Sequence, residues 1–382
     1  LIIEKLGIEK NIFLSFLPLS HSYEHTAGLF FPISIGAQIY YSEGLDKLAV
    51  NLVEVSPTIM VSVPRLYDVL RTKILQAMKK EGSLKKLLFN TTLRLGSRKY
   101  LDPDSLNLFD KLIDAILEKL VRKKIQKRFG GRLKAMVSGG APLNSDVGLF
   151  FTALGVRLLQ GYGQTEAGPV IACNHPDSLD LKTVGPALDG VSIKIAHDGE
   201  ILVSGALVMN GYWADEKSTA TAIRDNWLYT GDIGHLDSKG RLKITDRKKD
   251  VIVLSGGDNV SPQRVEGILT LQHEIGQAMV IGDKKSHLVA LIVPDDDFIT
   301  EWKKCFPSSK NIEDLREIPE FIVAIGNAVE AANLELSTIE HIRKHAIIME
   351  PFTIDNELMT PTLKIRRHKV LAQYNKILEN LY

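Results

Sequence analysis

The 382-residue chain is long enough for two or three domains with their own hydrophobic cores. Its net charge of +1 excludes a global electrostatic preference for nucleic acid, and 45% hydrophobic residues with 24% charged residues are ordinary for a soluble globular protein. Neither cysteine has a partner at metal-ligand spacing, which fits a reducing, cytoplasmic compartment. The first residue is Leu1, without an initiator Met, so we expect a cut there.

Apolar strands alternate with helical segments in the first half of the chain, which is typical of an α/β sheet. The predicted strands lie near Phe13, from Ala37 to Tyr41, between Pro57 and Pro64, after Leu133, and from Val156 to Leu159. In such sheets the loops that leave the carboxyl ends of the strands bind ligands. Two glycine loops leave strands here, at residues 139–140 and at residues 161–163. Asn144 or Ser145 is the predicted cap of the helix that follows the first glycine loop.

A strongly basic segment interrupts this alternation. Residues 71–134 contain 18 basic and 6 acidic side chains, which leaves a net charge of −11 on the rest of the chain. Nine apolar residues repeat there at helical spacing: Phe109, Leu112, Ile113, Ile116, Leu117, Leu120, Val121, Ile125 and Phe129. The opposite face carries the cations Lys111, Lys119, Arg122, Lys123 and Lys127. We expect a core-facing helix with a solvated basic face, and the alternative is a surface that rests on anionic lipid.

The stretch around which the chain is organised follows the strand at 156–159 and reads Gln-Gly-Tyr-Gly-Gln-Thr-Glu, residues 160–166. Its glycines, Gly161 and Gly163, let the backbone pass close to a flat or anionic ligand. Tyr162 can stack on a base, Thr165 can bond a phosphate, and Glu166 can hold Mg²⁺. The alternative interpretation is a glycine turn that closes a strand.

Beyond residue 184 the pattern changes to short alternating strands. Residues 191–195 and 201–203 alternate on either side of a His-Asp-Gly-Glu turn, which predicts a hairpin. Asp232 lies in a Thr-Gly-Asp loop and can accept both hydroxyls of a ribose. The charge run at residues 246–250 separates this β-rich region from the rest, where a domain boundary is expected.

Taken together, these stretches resemble the ordered motifs of the adenylate-forming superfamily, which contains acyl-CoA synthetases, luciferases and peptide-synthetase adenylation domains. The motifs are residues 161–166 (GYGQTE), 199–205 (GEILVSG) with 211–212 (GY), 229–232 (YTGD), 246–250 (DRKKD) and 361–364 (PTLK). Three further features resemble the long-chain fatty acid–CoA ligase branch. They are residues 17–21 (LPLSH), residues 138–142 (SGGAP) with the helical insertion before them, and residues 360–364 (TPTLK).

The resemblance implies an α/β fold in two parts. Residues 1–248 would be part of a large adenylate-forming domain with βαβ sheet layers and a small β-barrel region, and would contain the basic helical insertion at about 71–134. Residues 249–382 would be a smaller, mobile α+β C-terminal domain. The family's leading phosphate loop belongs before Phe13 and is absent from this sequence, so the chain is similar to a C-terminal fragment. We therefore expect weak AMP or acyl-AMP binding and no measurable pyrophosphate exchange from these residues alone.

The activity that the resemblance implies is a fatty acid–CoA ligase reaction, with ATP and Mg²⁺ as cofactors and fatty acid and coenzyme A as substrates. The acid would first form acyl-AMP, and the acyl group would then pass to coenzyme A. The residues implied in catalysis are Lys364, Thr165, Glu166 with its Mg²⁺, and His21, which would close the acyl pocket. The residues implied in nucleotide binding are Gly139, Gly140, Ala141, Pro142, Gly161, Tyr162, Gly163, Thr165, Asp232 and Arg247.

In the second half-reaction Lys249 would be the pivot between the domains. Ser255, Gly256 and Gly257 would line the slot for the pantetheine arm of coenzyme A. A ligase for another carboxylic acid, such as an aryl or shorter acyl acid, is the nearest alternative. A non-catalytic acyl-nucleotide or lipid-binding module is the second. For location, we expect the cytoplasm, with peripheral contact to the inner face of an anionic membrane as the extension of the basic-segment hypothesis.

Overall fold

The computed structural model describes residues 7, 10–44, 47–306 and 313–382, so Leu1, where we expect a cut, lies outside them. The chain divides into two compact units, the first ending at Thr245 and the second beginning at Asp246.

A six-stranded sheet in the order β2-β1-β3-β4-β5-β6 forms the centre of the first unit. Its strands are β1 (Ile12–Ser15), β2 (Gln38–Tyr41), β3 (Ile59–Ser62), β4 (Ala135–Ser138), β5 (Leu158–Tyr162) and β6 (Ala172–Cys173). The first five pair in parallel, and only β6 is antiparallel to its neighbour β5. Every residue of β1 and β3 is buried, as expected for apolar strands with both faces covered. The strands predicted from the sequence are confirmed, with one correction. β5 extends through Gly161 and Tyr162, which the sequence predicts in the loop after it, because both residues pair with β6.

Helices connect these strands. They are a π-helical segment (Glu24–Phe30), α1 (Phe31–Ser34), α2 (Leu48–Val55), α3 (Pro64–Lys79), α4 (Ser83–Leu101), a 3₁₀ turn (Pro103–Ser105), α5 (Leu108–Leu117), a second π-helical segment (Glu118–Arg122), α6 (Lys123–Arg128) and α7 (Ser145–Ala153). Asn144 caps α7, because its side chain accepts a hydrogen bond from the Asp146 amide. The capping prediction is thus confirmed for Asn144.

A second, five-stranded sheet follows in the first unit, in the order β11-β10-β8-β7 with β9 paired to β10. Its strands are β7 (Val191–Ile195), β8 (Glu200–Gly205), β9 (Ile223–Arg224), β10 (Trp227–Leu236) and β11 (Leu242–Arg247), and α8 (Glu216–Ala222) lies between β8 and β9. The pairs Ile193↔Val203 and Ile195↔Ile201 make β7 and β8 an antiparallel hairpin, as predicted. This sheet occupies the region for which the sequence predicts a small β-barrel.

The basic segment differs from its prediction. Of its nine periodic apolar residues, four are exposed: Phe109, Leu112, Ile116 and Leu120. The prediction of one core-facing apolar face is therefore wrong for these four. Arg122, predicted on the solvated face, is buried and bonded to Asp114 at 2.6 Å. Ion pairs between α4 and α5 determine which side of α5 faces the protein. The spacing of apolar residues along the sequence cannot predict such pairs.

The second unit combines a three-stranded sheet with helices. Its elements are β12 (Ile252–Val253), β13 (Asn259–Val260), α9 (Pro262–Leu269), β14 (Ile275–Ile281), β15 (Leu288–Pro294), α10 (Asp296–Cys305), a 3₁₀ turn (Glu313–Glu317), α11 (Pro319–Asn333), a 3₁₀ turn (Thr338–Glu340), β16 (Ile342–Ile347) and α12 (Arg367–Glu379). In the sheet β14 is antiparallel and β16 parallel to β15. All seven residues of β15 are buried, so this strand is the centre of the unit's core. Among the described helices of the chain, none combines the length and the apolar character needed to cross a membrane.

Candidate active site

The candidate site of the first unit lies where parallel strands end. Ser15, Ser62, Ser138 and Tyr162 are the last residues of β1, β3, β4 and β5, which are neighbours in the sheet. Because parallel strands share one direction, the loops that follow these four residues leave from one edge of the sheet. Those loops carry the candidate residues at positions 21, 139–142 and 163–166.

Two glycines in these loops leave space for other parts of the protein. A Cβ on Gly163 would lie 1.7 Å from the carbonyl oxygen of Pro169. A Cβ on Gly139 would lie 2.8 Å from the ring of Tyr23, whose hydroxyl donates to the Val137 carbonyl at 3.0 Å. At both positions the missing side chain permits a close contact within the fold itself. Gly161 is still part of β5, where it pairs with Cys173.

A hydrogen bond joins the two loops for which the sequence predicts nucleotide binding. The Tyr162 hydroxyl donates to Asp232 Oδ2 at 2.7 Å, and both side chains are buried. Asp232 lies in a bulge of β10, where the pairing with β8 shifts register between Tyr229 and Ile233. The buried Glu200 accepts a hydrogen bond from the Gly231 amide at 2.9 Å and so holds this bulge in place.

The ring of Tyr162 packs among apolar residues of the second sheet. Its neighbours in that cluster include Ile201, Val203 and Leu242. Glu200 is a site residue that the sequence reasoning missed, although the motif at 199–205 contains it. The signal that could have identified it is a single acidic residue at the start of an otherwise apolar strand.

Thr165 and Glu166 contact two further loops. The Thr165 hydroxyl lies 2.9 Å from the Ser22 hydroxyl. The Tyr212 hydroxyl donates to Glu166 Oε1 at 2.9 Å. Burial, followed by the hydrogen bond and the charge of Glu166, raises the pKa of Tyr212 above its ordinary value. Tyr212 also lacked a predicted role, although its Gly-Tyr pair is part of the motif set.

His21 is half-buried in the loop after β1. Its Nδ1 accepts a hydrogen bond from the Tyr23 amide at 3.2 Å, and its own amide donates to the Pro18 carbonyl at 2.9 Å. The imidazole therefore stabilises the turn that contains Ser22, whose hydroxyl contacts that of Thr165. Ala141 and Pro142, on the neighbouring loop after β4, are both exposed.

The oxygen ligands of the first unit fit Mg²⁺ bound together with a nucleotide. Thr165 is exposed and Glu166 is half-exposed, so both can present oxygen atoms to a ligand. The described residues contain no cluster of three His, Cys, Asp or Glu side chains that could hold a metal ion alone. Mg²⁺ commonly uses one or two carboxylates, with water and substrate phosphates as its other ligands. One carboxylate beside one hydroxyl matches that pattern.

In the second unit Lys364 lies in an ordered turn. The Thr360 amide donates to the Lys364 carbonyl at 2.8 Å, and the Lys364 amide donates to the Thr360 hydroxyl at 3.0 Å. The lysine side chain is half-exposed. Just beyond it, Arg367 pairs with Glu266, which also accepts from the Val280 amide. These contacts attach the Lys364 turn to the core of its unit.

The other candidates of the second unit lie in exposed turns. Ser255, Gly256 and Gly257 form the exposed tip of the hairpin between β12 and β13, and Gly257 has a φ of +90°. Lys249 is exposed in the turn that follows Arg247, the last residue of β11. The structure thus places the candidates up to Asp232 in the first unit, at or just after the ends of β1, β4 and β5 and in the bulge of β10. It places Arg247, Lys249, the hairpin tip and Lys364 in the second.

Two family models match the chain. The AMP-binding enzyme family matches residues 3–213, and the AMP-binding enzyme C-terminal domain matches residues 249–382. The chain is 34% identical over 374 residues to the long-chain-fatty-acid–CoA ligase FadD15 of Mycobacterium tuberculosis, covering 97% of this chain and 62% of that protein. It is 33% identical to the peroxisomal long chain acyl-CoA synthetase 6 of Arabidopsis thaliana, covering 97% and 55%.

Solved structures agree on the fold. The A domain of a carboxylic acid reductase from Segniliparus rugosus, in complex with AMP and a co-purified carboxylic acid, matches with a TM-score of 0.71 at 23% identity. That match covers 97% of this chain and 54% of the other. The o-succinylbenzoate CoA synthetase of Bacillus subtilis matches with a TM-score of 0.64 at 20% identity. These likenesses confirm the predicted α/β adenylate-forming fold. The chain spans about 62% of the length of the bacterial ligase.

Proposed function

Because the chain belongs to the AMP-binding enzyme family, we propose that it carries the adenylate-binding and thioester-forming parts of a long-chain fatty acid–CoA ligase. The overall reaction would convert a fatty acid, ATP and coenzyme A into acyl-CoA, AMP and pyrophosphate. The names of relatives at 33% and 34% identity over nearly the whole chain support the choice of substrate class.

The observation that carries this proposal is the 2.7 Å hydrogen bond from Tyr162 to Asp232. It connects the loop after β5, with its hydroxyl and carboxylate, to the Thr-Gly-Asp bulge of β10. A carboxylate accepts several hydrogen bonds, so Asp232 can hold ribose hydroxyls while it still accepts the bond from Tyr162. A nucleoside on Asp232 would direct its phosphate to the loop of Thr165.

In the adenylation step this chain's residues would mainly position charge. The reaction places negative charge on the oxygens of the α-phosphate, so fixed donors and cations lower its barrier. The Thr165 hydroxyl would donate to these oxygens, and Lys364 would supply a positive charge from the second unit. Arg247 would support the ribose, and His21 would close the acyl pocket near the carboxylate.

Glu166 and Thr165 are the residues that would hold Mg²⁺. When bound, the ion would neutralise charge on the phosphate oxygens. The Tyr212 hydroxyl, which donates to Glu166, would fix the direction of the carboxylate. A missing hydroxyl at Tyr212 would therefore leave Glu166 less well oriented.

In the thioester step the second unit would present its hairpin tip to the pantetheine arm of coenzyme A. Ser255, Gly256 and Gly257 are exposed and carry almost no side-chain bulk, so a narrow arm can pass along their backbone. Lys249 would be the residue at which the second unit turns between the two steps. We also propose a cytoplasmic location with peripheral contact to an anionic membrane, which the positive charge of residues 71–134 supports.

The proposal is tested by supplying the purified chain with acyl-AMP and coenzyme A and measuring acyl-CoA by mass spectrometry. The acyl groups would form a series: acetyl, octanoyl, palmitoyl and benzoyl. We expect palmitoyl-AMP to give the fastest coenzyme A-dependent product formation above the uncatalysed reaction.

Two results would contradict the proposal in different ways. A preference for benzoyl-AMP or acetyl-AMP would point to a ligase for another carboxylic acid. Saturable binding of acyl-AMP without product formation from any member of the series would point to a non-catalytic acyl-nucleotide-binding module. Each result can be told apart from inactive protein, because binding is measured on the same preparation.

A further inference from the structure

The outward face of α5 is unusually apolar. We call the side chains of Leu108, Phe109, Leu112, Ile116 and Leu120 the α5 face; their exposed fractions range from 45% to 86%. They follow one another at intervals of one, three or four residues, so they lie along one side of the helix. Four of these side chains lie on α5, and Leu120 lies on the π-helical segment that follows it. A row of large exposed apolar side chains of this kind marks an interaction site.

The inward side of the same helix is charged. Asp110 pairs with Arg98 at 3.1 Å, and Asp114 pairs with Lys99 at 3.0 Å and with Arg122 at 2.6 Å. Burial alone would raise the pKa of Asp114, but the hydrogen bonds from Arg122 and Lys99 outweigh it and lower the pKa. The helix thus turns its acids toward the protein, together with the buried Leu117 and the half-buried Ile113, while its other large apolar residues face outward.

Cations accompany the α5 face along the segment. Six basic side chains between Leu108 and Arg128 are exposed: Lys111, Lys119, Lys123, Lys124, Lys127 and Arg128. The acidic residue that remains partly exposed there is Glu118, which pairs with Arg122. The accessible surface of this segment therefore combines apolar side chains with positive charge.

We propose that the α5 face docks on an anionic lipid bilayer, with its apolar row in the headgroup region and the six cations beside lipid phosphates. A helix with exposed apolar residues flanked by lysines matches an interfacial helix in both hydrophobic and electrostatic terms. The proposal relies on the proposed membrane contact only for the class of partner, and its test measures vesicle binding, which does not depend on ligase activity.

Charge makes other occupants less suitable. A second copy of this chain would bring a surface of the same positive charge against this one. The core of a protein–protein interface is depleted in lysine, whereas six cations accompany this row. Phosphate groups of anionic lipids complement the cations that flank this row.

The test uses the purified 382-residue chain and vesicles of phosphatidylcholine with or without phosphatidylglycerol. Cosedimentation would be measured at low salt and at about 0.15 M salt, where exposed charges are partly screened. We expect binding to the anionic vesicles only, with affinity falling as salt is added. A Phe109→Trp variant should show a blue shift and stronger fluorescence when anionic vesicles are added, since position 109 would enter the headgroup region.

Two sets of substitutions separate the apolar from the electrostatic contribution. Leu108→Gln/Leu112→Gln/Ile116→Gln and, separately, Lys119→Gln/Lys123→Gln/Lys127→Gln should each weaken vesicle binding about tenfold or more. All six positions are exposed, so circular dichroism and thermal unfolding should match the wild type. The matched controls are Val323→Gln/Leu334→Gln for exposed apolar residues and Lys182→Gln/Lys194→Gln/Lys239→Gln for exposed cations. Both controls should bind vesicles as the wild type does.

Several outcomes would overturn the proposal. They are the absence of vesicle binding, equal binding to neutral vesicles, and unchanged binding by the apolar triple variant. A dimer that the apolar triple variant dissociates, without vesicle binding by the wild type, would assign the α5 face to contact between copies of the chain.

Discussion

Glu24 is a buried carboxyl whose surroundings shift its pKa. It begins the π-helical segment after the His21 loop, and neither of its oxygens has a hydrogen-bond partner among the described residues. Gly28 makes room for it, because a Cβ there would lie 2.3 Å from Glu24 Oε1. Burial raises the pKa of Glu24 from 4.5 to about 7, against a smaller opposing effect of Ser15.

Because the pKa of Glu24 is raised in the folded chain, its contribution to the free energy of unfolding decreases as pH rises. The folded chain holds a proton on this carboxyl that the unfolded chain releases near pH 4.5. The stability of the neutral form is fully present below that value and is lost as pH rises through about 7. Between about pH 5 and pH 8 we expect the wild-type unfolding free energy to fall by about 2.5 kcal/mol relative to that of Glu24→Gln. Urea unfolding across this range measures the difference, and parallel curves for the two proteins would refute it.

The close contact between Gly163 and the backbone of Pro169 leaves no room for a side chain at position 163. A Cβ there would lie 1.7 Å from a backbone oxygen of Pro169, which cannot rotate away as a side chain can. Gly163→Ala should therefore lower the unfolding free energy by more than about 2 kcal/mol. Gly82→Ala is the control, since Gly82 has no atom within 4 Å of its Cβ position and should change stability by about 1 kcal/mol or less. If Gly163→Ala is as stable as the wild type, the contact with Pro169 does not require this glycine. The glycine would then be explained by the close approach of the backbone to a ligand.

Single residues were predictable to different degrees. The motif loops locate Asp232 and Glu166, because acidic residues in glycine-containing loops after strands indicate ligand contacts. Their partners Tyr162 and Tyr212 follow from tertiary contacts, which no spacing in the sequence encodes. Glu24 had no signal either, since its neighbours in the sequence are mostly polar and a carboxyl among them is ordinarily solvated.

At the scale of elements, the turn after β11 is the proposed pivot. Lys249 is exposed there, close to the division of the chain between Thr245 and Asp246. A pivot must absorb a large change in φ and ψ, and proline fixes φ. Lys249→Pro should keep the affinity for acyl-AMP and lower palmitoyl-CoA formation from palmitoyl-AMP and coenzyme A about tenfold or more.

Lys249→Ala is the matched control for that experiment. It removes the same side chain without restricting φ, so its product formation should remain near that of the wild type. If the alanine variant lost as much activity as the proline variant, the lysine side chain would be responsible and the pivot would lie elsewhere. Full activity of the proline variant would also exclude this pivot.

Strands that are covered on both faces were predicted well from the sequence. A helix with one exposed side was predicted poorly. The apolar runs of β1, β3 and β5 indicate strands of a covered parallel sheet. In contrast, the apolar residues of α5 indicate a helix but not which side faces the protein. Its orientation depends on Arg98 and Lys99 of α4, which hold the two aspartates of α5 on the inner side.

For the whole molecule, the order of the motifs carried more information than any element. Five short motifs in one order specified the superfamily, and the family models now cover most of the chain on both sides of the charge run at 246–250. The two compact units follow from the same run, because a dense cluster of charges cannot be part of a shared core. Which acid the protein activates depends on the shape of a pocket, which the motifs do not describe.

Asp232 is proposed to hold the ribose of an acyl-adenylate, and calorimetric titration with palmitoyl sulfamoyl adenosine measures this contact. This analogue of acyl-AMP resists hydrolysis, and a second version without the ribose hydroxyls reports the Asp232 contact separately. We expect weak but saturable binding to the wild type, and a loss of about tenfold for Asp232→Asn or for removal of the hydroxyls. Combining the two changes should cost little more than either alone. Asp189→Asn, at an exposed aspartate, should bind as the wild type does. Equal affinity of the wild type and Asp232→Asn, or the absence of saturable binding, would contradict the account.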